Sequence, residues 1–241
     1  MGKLEWNKSA ENYYEDVISP LKDSIENPLF NDLKKVYSKE KTIADLGCGI
    51  GELLAKLSEK FKSVEGWDFS EKMIEKANEK IIGKENVKLF VKDLTRIREK
   101  ERFDYVLSIN SILAPSSKDV DKIIKNIYNL LNKNGKLFCI LPAMESYIYQ
   151  SILTLNKKNE ETQEIKQMKK NVDFIQGNIT FEGEMQKVFY RFEILYRFKK
   201  AGFKKIKIER VNYDWGAWRE AGQTFYPNED PPWDWYLTAE K

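Results

Sequence analysis

Asp45, Asp68 and Asp93 are the residues whose placement in this chain can do chemistry. Each closes a short apolar or alternating run: Ile43-Ala44-Asp45-Leu46, Ser63 to Asp68, and Val87 to Asp93. Runs of that length are strands, and an acid at the carboxyl end of each brings three carboxylates from neighbouring strands to one crevice. The first run continues into Gly47-Cys48-Gly49-Ile50-Gly51. Glycine accepts the positive φ of a tight turn and leaves no Cβ between main chain and ligand, so a ligand can approach this backbone closely. Glu52 to Leu57 has helical spacing. The unit is strand, glycine turn, helix, the nucleotide-binding half of a doubly wound sheet.

Glu52 restricts the ligand. It occupies the sixth position of a Gly-x-Gly-x-x-Gly/Ala dinucleotide fingerprint, where a carboxylate would face a pyrophosphate on the helix N-terminus. A cationic ligand without phosphates meets no such conflict, and Asp45 suits an amino group or positive charge. Asp45-Leu46-Gly47-Cys48-Gly49-Ile50-Gly51 resembles the first motif of the class I S-adenosylmethionine-dependent methyltransferases, Asp/Glu-x-Gly-x-Gly-x-Gly, which cradles the methionine part of the cofactor. The resemblance covers residues 40–142 and, in outline, 190–241.

That resemblance implies S-adenosyl-L-methionine as cofactor and S-adenosyl-L-homocysteine as product. It also implies roles. Gly47, Cys48 and Gly49 run under the methionine part, and Asp68, at ribose-binding distance from the glycines, grips the ribose hydroxyls. Phe69 lies against the adenine, Asp93 accepts from its amino group, and the backbone at Leu94 meets a ring nitrogen. Asn110 and Ser111, after the fourth strand, flank the sulfonium, and Tyr13 is the N-terminal aromatic against the methionine end. A core-packing tyrosine fits Tyr13 equally well, and a plain strand-end acid remains open for Asp93.

These residues need a scaffold, and the rest of the chain describes one. Ser70 to Ala77 reads as a helix with Ser70 as N-cap. Phe103 to Ile109 is a fourth strand. Asp119 to Leu131, apolar at 120, 123, 124, 127, 130 and 131, is an amphipathic helix stopped by Asn134-Gly135, and Lys136 to Pro142 is a fifth strand. Glu193 to Ala201 is helical, Gly202 ends it, Lys204 to Val211 is a strand, and Trp233 to Ala239 a last one. The expectation is an α/β fold with a mostly parallel, doubly wound sheet; the methyltransferase resemblance implies seven strands, the last one antiparallel beside the fifth. Expected units are an N-terminal helical cap over one end of the sheet (1–38), the cofactor-binding core (39–142), an acceptor-side insertion after strand five (143–190), and the sheet-closing elements (191–241), together one methyltransferase domain. Within the insertion, Asn156 to Asn171 is helix-compatible and Ile175 to Arg191 suits one or two strands.

Composition narrows the function classes. With 241 residues and 41% hydrophobic content the chain can build one large core, and its net charge of +3 includes no basic block of the nucleic-acid-binding kind. No apolar run reaches membrane-span length and no signal peptide is apparent, so no membrane partner is expected. The thiols Cys48 and Cys139, in a turn and a strand, read as reduced and buried, consistent with the cytoplasm. Histidine is absent, and two separated cysteines leave no expected metal site. Asp230-Pro231-Pro232-Trp233 spells the signature with which amino-methylating DNA enzymes hold a flipped base, but it introduces the last strand rather than following strand four, and reads as a proline-rich turn.

The expected activity is methyl transfer to a small-molecule acceptor by in-line displacement, in a monomer or homodimer. Protein or RNA methylation, or a cofactor-binding scaffold without catalysis, are the alternatives. Tyr147 and Tyr149 after strand five, with Tyr213, Trp215 and Trp218 after strand six, are placed in rim loops where they either enclose an acceptor or pack under the insertion. Glu145 and Asp214 are the nearest candidate bases.

Overall fold

The computed structural model describes residues 2–11, 13, 19–22, 24–158, 166, 170–181, 183–216, 226 and 228–241. Strands β1 (Ser38–Leu46), β2 (Phe61–Asp68), β3 (Val87–Val91), β4 (Phe103–Ile109), β5 (Leu131–Pro142), β9 (Lys204–Asn212) and β10 (Trp233–Glu240) form one seven-stranded sheet in the order β3-β2-β1-β4-β5-β10-β9. The pairs among β1 to β5 are parallel; β10 runs antiparallel between β5 and β9. Order reverses between β1 and β4, and at that switch point the carboxyl ends of the two strands part to leave a crevice. Three short strands, β6 (Val172–Asp173), β7 (Asn178–Phe181) and β8 (Glu184–Lys187), make a separate antiparallel sheet.

Strand side chains alternate between the two faces, and the helices cover both. On one face Ala44, Val106, Leu137 and Cys139 meet α5 (Ser117–Leu130) and α7 (Arg191–Ala201). The apolar stripe of α5, Val120, Ile123, Ile124, Ile127 and Leu130, is buried as its spacing predicts, each such side chain contributing about 1.5–3 kcal/mol. On the other face Ile43, Val64, Leu107, Phe138 and Ile140 meet α2 (Pro28–Lys34), α3 (Leu54–Ser58) and α4 (Glu71–Lys80). Local signals hold where side-chain chemistry dictates them. The Ser70 hydroxyl accepts from the Met73 amide at 3.1 Å, capping α4, and Gly202 closes α7 at φ 112°.

Four expectations need correction. The helix after the glycine turn begins only at Leu54, because residues 50–53 continue as turn. Asn134-Gly135 does not stop α5: the helix ends at Leu130 and β5 starts at Leu131, paired to Phe103, before its register shifts so that Tyr105 pairs with Lys136. Asn134, at φ 64°, turns the chain inside that bulge. The insertion opens with the helix α6 (Met144–Lys158), directly after strand five, so Tyr147 and Tyr149 stand on a helix and not in a rim loop; most of Asn156–Asn171 lies outside the described residues. Of the N-terminal region, α1 (Lys3–Ser9) reaches α4 near the carboxyl ends of the strands, whereas Leu29 and Leu33 of α2 are buried in the core on a sheet face. No helix among the described residues is long and apolar enough to cross a membrane.

Candidate cofactor-binding site

At the switch point lies a cavity of about 360 Å³. Every residue singled out from the sequence as a cofactor contact borders it: Tyr13, Asp45, Gly47, Cys48, Gly49, Asp68, Phe69, Asp93, Leu94, Asn110 and Ser111. The glycine turn forms the floor. Gly47 and Gly51 sit at φ 74° and 77°, and a Cβ on Gly47 would stand 2.2 Å from Cβ of Ser111. Only glycine therefore fits where this turn passes the β4 loop. The amides of Gly47 and Cys48 both donate to the Trp67 carbonyl, at 2.6 and 3.0 Å, stitching the turn to β2.

Asp68 locks the second side. Its Oδ2 accepts from the Gly49 amide at 3.0 Å and its Oδ1 from the Ser70 amide at 2.9 Å. Burial raises its pKa, and these backbone donors oppose the rise. Asp45, 4% exposed, lies deeper, and among the described residues no donor bonds its carboxylate. Burial first, then the charges of Asp68 and Glu52, push its pKa up to about 7. Beyond β3, Asp93 caps the 3₁₀ turn Leu94–Arg96, its Oδ1 accepting from the amide and hydroxyl of Thr95 at 2.8 and 2.7 Å. The capping role and the position at the cavity wall coexist on this one acid.

The β4 side is polar and strained. Asn110 sits at φ 45°, its amide nitrogen donates to Asp234 Oδ2 at 2.8 Å, and its Oδ1 is buried with no partner among the described residues. The Tyr213 hydroxyl donates to the same Asp234 oxygen at 2.6 Å. Ser111 shares a 2.7 Å hydrogen bond with Ser108.

Several contributors escaped the sequence. Glu52, read there only as an obstacle to pyrophosphate, anchors the N-terminal segment: the Ser19 hydroxyl donates to its Oε2 at 3.1 Å, and Tyr13 hydrogen-bonds to it. Tyr13 lies over Gly49, where a Cβ would meet its phenolic oxygen at 3.5 Å. Burial beside Glu52 raises its phenol well above the ordinary value. Lys92, also at the cavity wall, stands 3.7 Å over the Trp67 ring and pairs with Glu99. The β4 loop is tied to the small sheet, with the Lys187 amide donating to the Leu113 carbonyl at 3.1 Å and the Asn178 amide nitrogen to the Pro115 carbonyl at 3.0 Å.

The rim aromatics do not reach this cavity. Tyr149 donates to Glu229 at 3.0 Å and packs on Trp233; Trp215 donates to the Glu229 carbonyl at 2.8 Å; Tyr213 is bound to Asp234. None of these, nor Tyr147, lines it. Trp218 lies outside the described residues. Glu145 is likewise engaged elsewhere, accepting from the Arg191 amide at 2.8 Å and Trp235 Nε1 at 3.1 Å, and neither it nor Asp214 borders the cavity. Trp233 opens β10 with its amide on the Ser146 hydroxyl and its ring 3.9 Å beneath the Arg210 guanidinium, so the Asp-Pro-Pro-Trp segment is a strand-entry turn. Among the described residues no group of three acids, cysteines or histidines could hold a metal ion.

The geometry suits a cationic, nucleoside-sized ligand. An unbonded buried carboxylate asks for positive charge, a Cβ-free turn admits close approach, and a second acid stands at the tip of the neighbouring strand. Comparison with known proteins agrees. Residues 43–135 match the family model described as a methyltransferase domain. The chain is 31% identical over 48% of its length, and 50% of the relative's, to a ubiquinone biosynthesis O-methyltransferase of Pelagibacter ubique. It is 28% identical over 56% of its length, and 48% of the relative's, to a malonyl-[acyl-carrier protein] O-methyltransferase of Priestia megaterium. The chain thus spans about half the length of these curated relatives. A solved structure of a S-adenosylmethionine-dependent methyltransferase from Methanosarcina mazei shares the fold, with a TM-score of 0.61 at 14% identity over 87% of this chain and 96% of that one. Residues 43–135 thus match a methyltransferase domain, and the sheet shares its fold with a solved S-adenosylmethionine-dependent methyltransferase.

Proposed function

We propose that the protein transfers a methyl group from S-adenosylmethionine to a small-molecule acceptor. The observation that carries this reading is the acid-edged cavity over the glycine turn, with Asp45 unbonded at its base and Asp68 fixed to the Gly49 amide. When bound, S-adenosylmethionine supplies an activated methyl on a positively charged sulfur. In this reading Asp68 holds the ribose diol, while Phe69, Asp93 and Leu94 take the adenine. The Gly47-Cys48-Gly49 backbone, Asp45 and Tyr13 take the methionine end, and Asn110 and Ser111 stand beside the sulfonium. The residues' task is alignment and exclusion of water, which in-line transfer chiefly requires. Tyr13, joined to Glu52, forms a wall from the N-terminal segment that serves both ends.

A small acceptor is supported by the volume of the cavity and by the near-neutral charge of the chain, and an oxygen acceptor by the relatives' names. The two buried free thiols favour a reducing compartment such as the cytoplasm. We read the chain as one methyltransferase domain in which the described residues of the 143–190 insertion, rather than lining the cavity, brace the loop after β4. The test is incubation with methyl-labelled cofactor and a metabolite extract, followed by fractionation. Label in small molecules is expected; label in protein or RNA alone would overturn the acceptor assignment, and label in none would overturn turnover.

A further inference from the structure

Asp45 is a buried carboxylate at the carboxyl end of β1 that opens on the cavity and receives no hydrogen bond among the described residues. The groups facing it from each packed element are anionic or neutral. They are Asp68 from β2, Glu52 and Cys48 from the glycine turn, and Tyr13 from the N-terminal segment. From the β4 side come the neutral Asn110 and Ser111, with Asp234 bound behind Asn110. The cation among the described wall residues is Lys92, which stands with Asp93 at the far end, on the Trp67 ring and paired to Glu99. Asp68 is compensated by two backbone amides, whereas Asp45 has nothing comparable.

Such a carboxylate cannot stay charged at low cost in an empty cavity; it needs a proton or a cation. We propose that Asp45 holds a proton while the cavity is empty and releases it to solvent when a positively charged ligand enters, so that the site exchanges one proton for one cation. This deepens the methyltransferase reading and rests on it. The carboxyl O–H bond breaks, the proton goes to buffer, and the carboxylate stays to face the ligand's charge. Burial and the neighbouring acids bring the group to about 7, which sets the exchange near neutrality. The consequence is selection by charge. A donor whose amino-acid end brings an ammonium to Asp45 gains from the ionised acid, and a neutral nucleoside thioether does not.

The experiment is calorimetric titration of the intact chain with S-adenosylmethionine and with 5′-methylthioadenosine, at pH 5.5 and 8, in two buffers of different ionisation enthalpy. The expected result is S-adenosylmethionine binding about 30-fold tighter at pH 8 than at pH 5.5, with close to one proton released at the lower pH. The neutral thioether should bind with less than about threefold change and release no proton. Asp45→Asn should bind S-adenosylmethionine with an affinity that no longer follows pH. S-adenosylmethionine binding that is indifferent to pH and releases no proton in the unaltered chain would overturn the exchange and leave the methyltransferase reading standing. So would a pH dependence that survives Asp45→Asn. No S-adenosylmethionine binding at either pH would overturn both.

Discussion

The amide nitrogen of Asn110 donates to Asp234 Oδ2 at 2.8 Å and so joins the end of β4 to the start of β10, 124 residues further along the chain. Tyr213, following β9, donates to the same oxygen. A buried acid therefore collects three segments at the carboxyl edge of the sheet, immediately behind the cavity wall. Because a carboxylate only accepts, it fixes which end of the Asn110 amide faces it, and it holds Asn110 in its left-handed conformation.

Replacing Asp234 tests that hub. Asp234→Ala strands the buried Tyr213 hydroxyl and the Asn110 amide, at a cost of roughly 2–4 kcal/mol. Asp234→Asn, which keeps one acceptor oxygen, should cost less. Urea denaturation of the two variants checks this; equal losses would show that the acceptor oxygen is not what matters.

Asp68 ties the glycine turn to β2 and α4 through the Gly49 and Ser70 amides. Asp68→Ala should weaken S-adenosylhomocysteine binding by roughly 1.5–3 kcal/mol, since a charged acceptor is lost. Affinity measured by calorimetry that did not change would remove Asp68 from the site.

Asp45 also carries a stability signature. Its pKa of about 7 in the folded chain exceeds the ordinary 3.8, so between those values the native state holds a proton that the unfolded chain has lost. Its contribution therefore becomes progressively unfavourable as pH rises from 3.8 to 7, reaching on the order of 4 kcal/mol above that window. Asp45→Asn removes this cost. Thermal melts of the ligand-free chain should show the variant more stable at pH 8, with the gain shrinking toward pH 4. A gain of the same size at both ends would contradict the assignment.

Lys187 is a fully buried ammonium that donates to the Gln176 and Gly177 carbonyls at 2.6 and 3.3 Å and to Glu193 at 2.8 Å. Burial lowers its pKa. Lys187→Met removes the ammonium that ties Gln176, Gly177 and Glu193 together, although the Val188 amide still donates to the Gly177 carbonyl at 2.8 Å and Arg197 still reaches Glu193 at 2.7 Å, so a loss of about 2–4 kcal/mol is expected from denaturant unfolding. Because the Lys187 amide also holds the Leu113 carbonyl, hydrogen exchange should speed up at that amide and at residues 111–114.

What was legible in the sequence follows from how local each constraint is. The glycine turn could be read because positive φ and missing Cβ atoms are properties of single residues, and strand-end acids could be read because a parallel sheet puts all its carboxyl edges on one side. The stripe of α5 was readable for the same reason. The N-terminal wall was not. Tyr13 and Glu52 meet only through tertiary folding, and nothing periodic connects them, so Glu52 showed its charge but not its partner. Nor could the sequence place Asp234 beside Asn110: the antiparallel insertion of β10 next to β5 was expected, but the register that sets Asp234 against Pro142 was not. Asn134-Gly135 was misread as a helix stop because an Asn-Gly turn has the same local chemistry inside a strand bulge as at a helix end. The start of α6 was missed because Met144, Ile148, Ile152 and Leu155 follow a strand directly, with no polar spacer to separate the periods.

The central claim is that the cavity over Gly47-Cys48-Gly49 receives a sulfonium nucleoside. A crystal of the protein soaked with S-adenosylhomocysteine tests it most directly. The account predicts the ribose hydroxyls on Asp68 and the adenine between Phe69 and Leu94, with the amino-acid end toward Asp45 and Tyr13. Ligand density anywhere else, or a cavity closed by Tyr13 against the turn with no ligand in it, would contradict it.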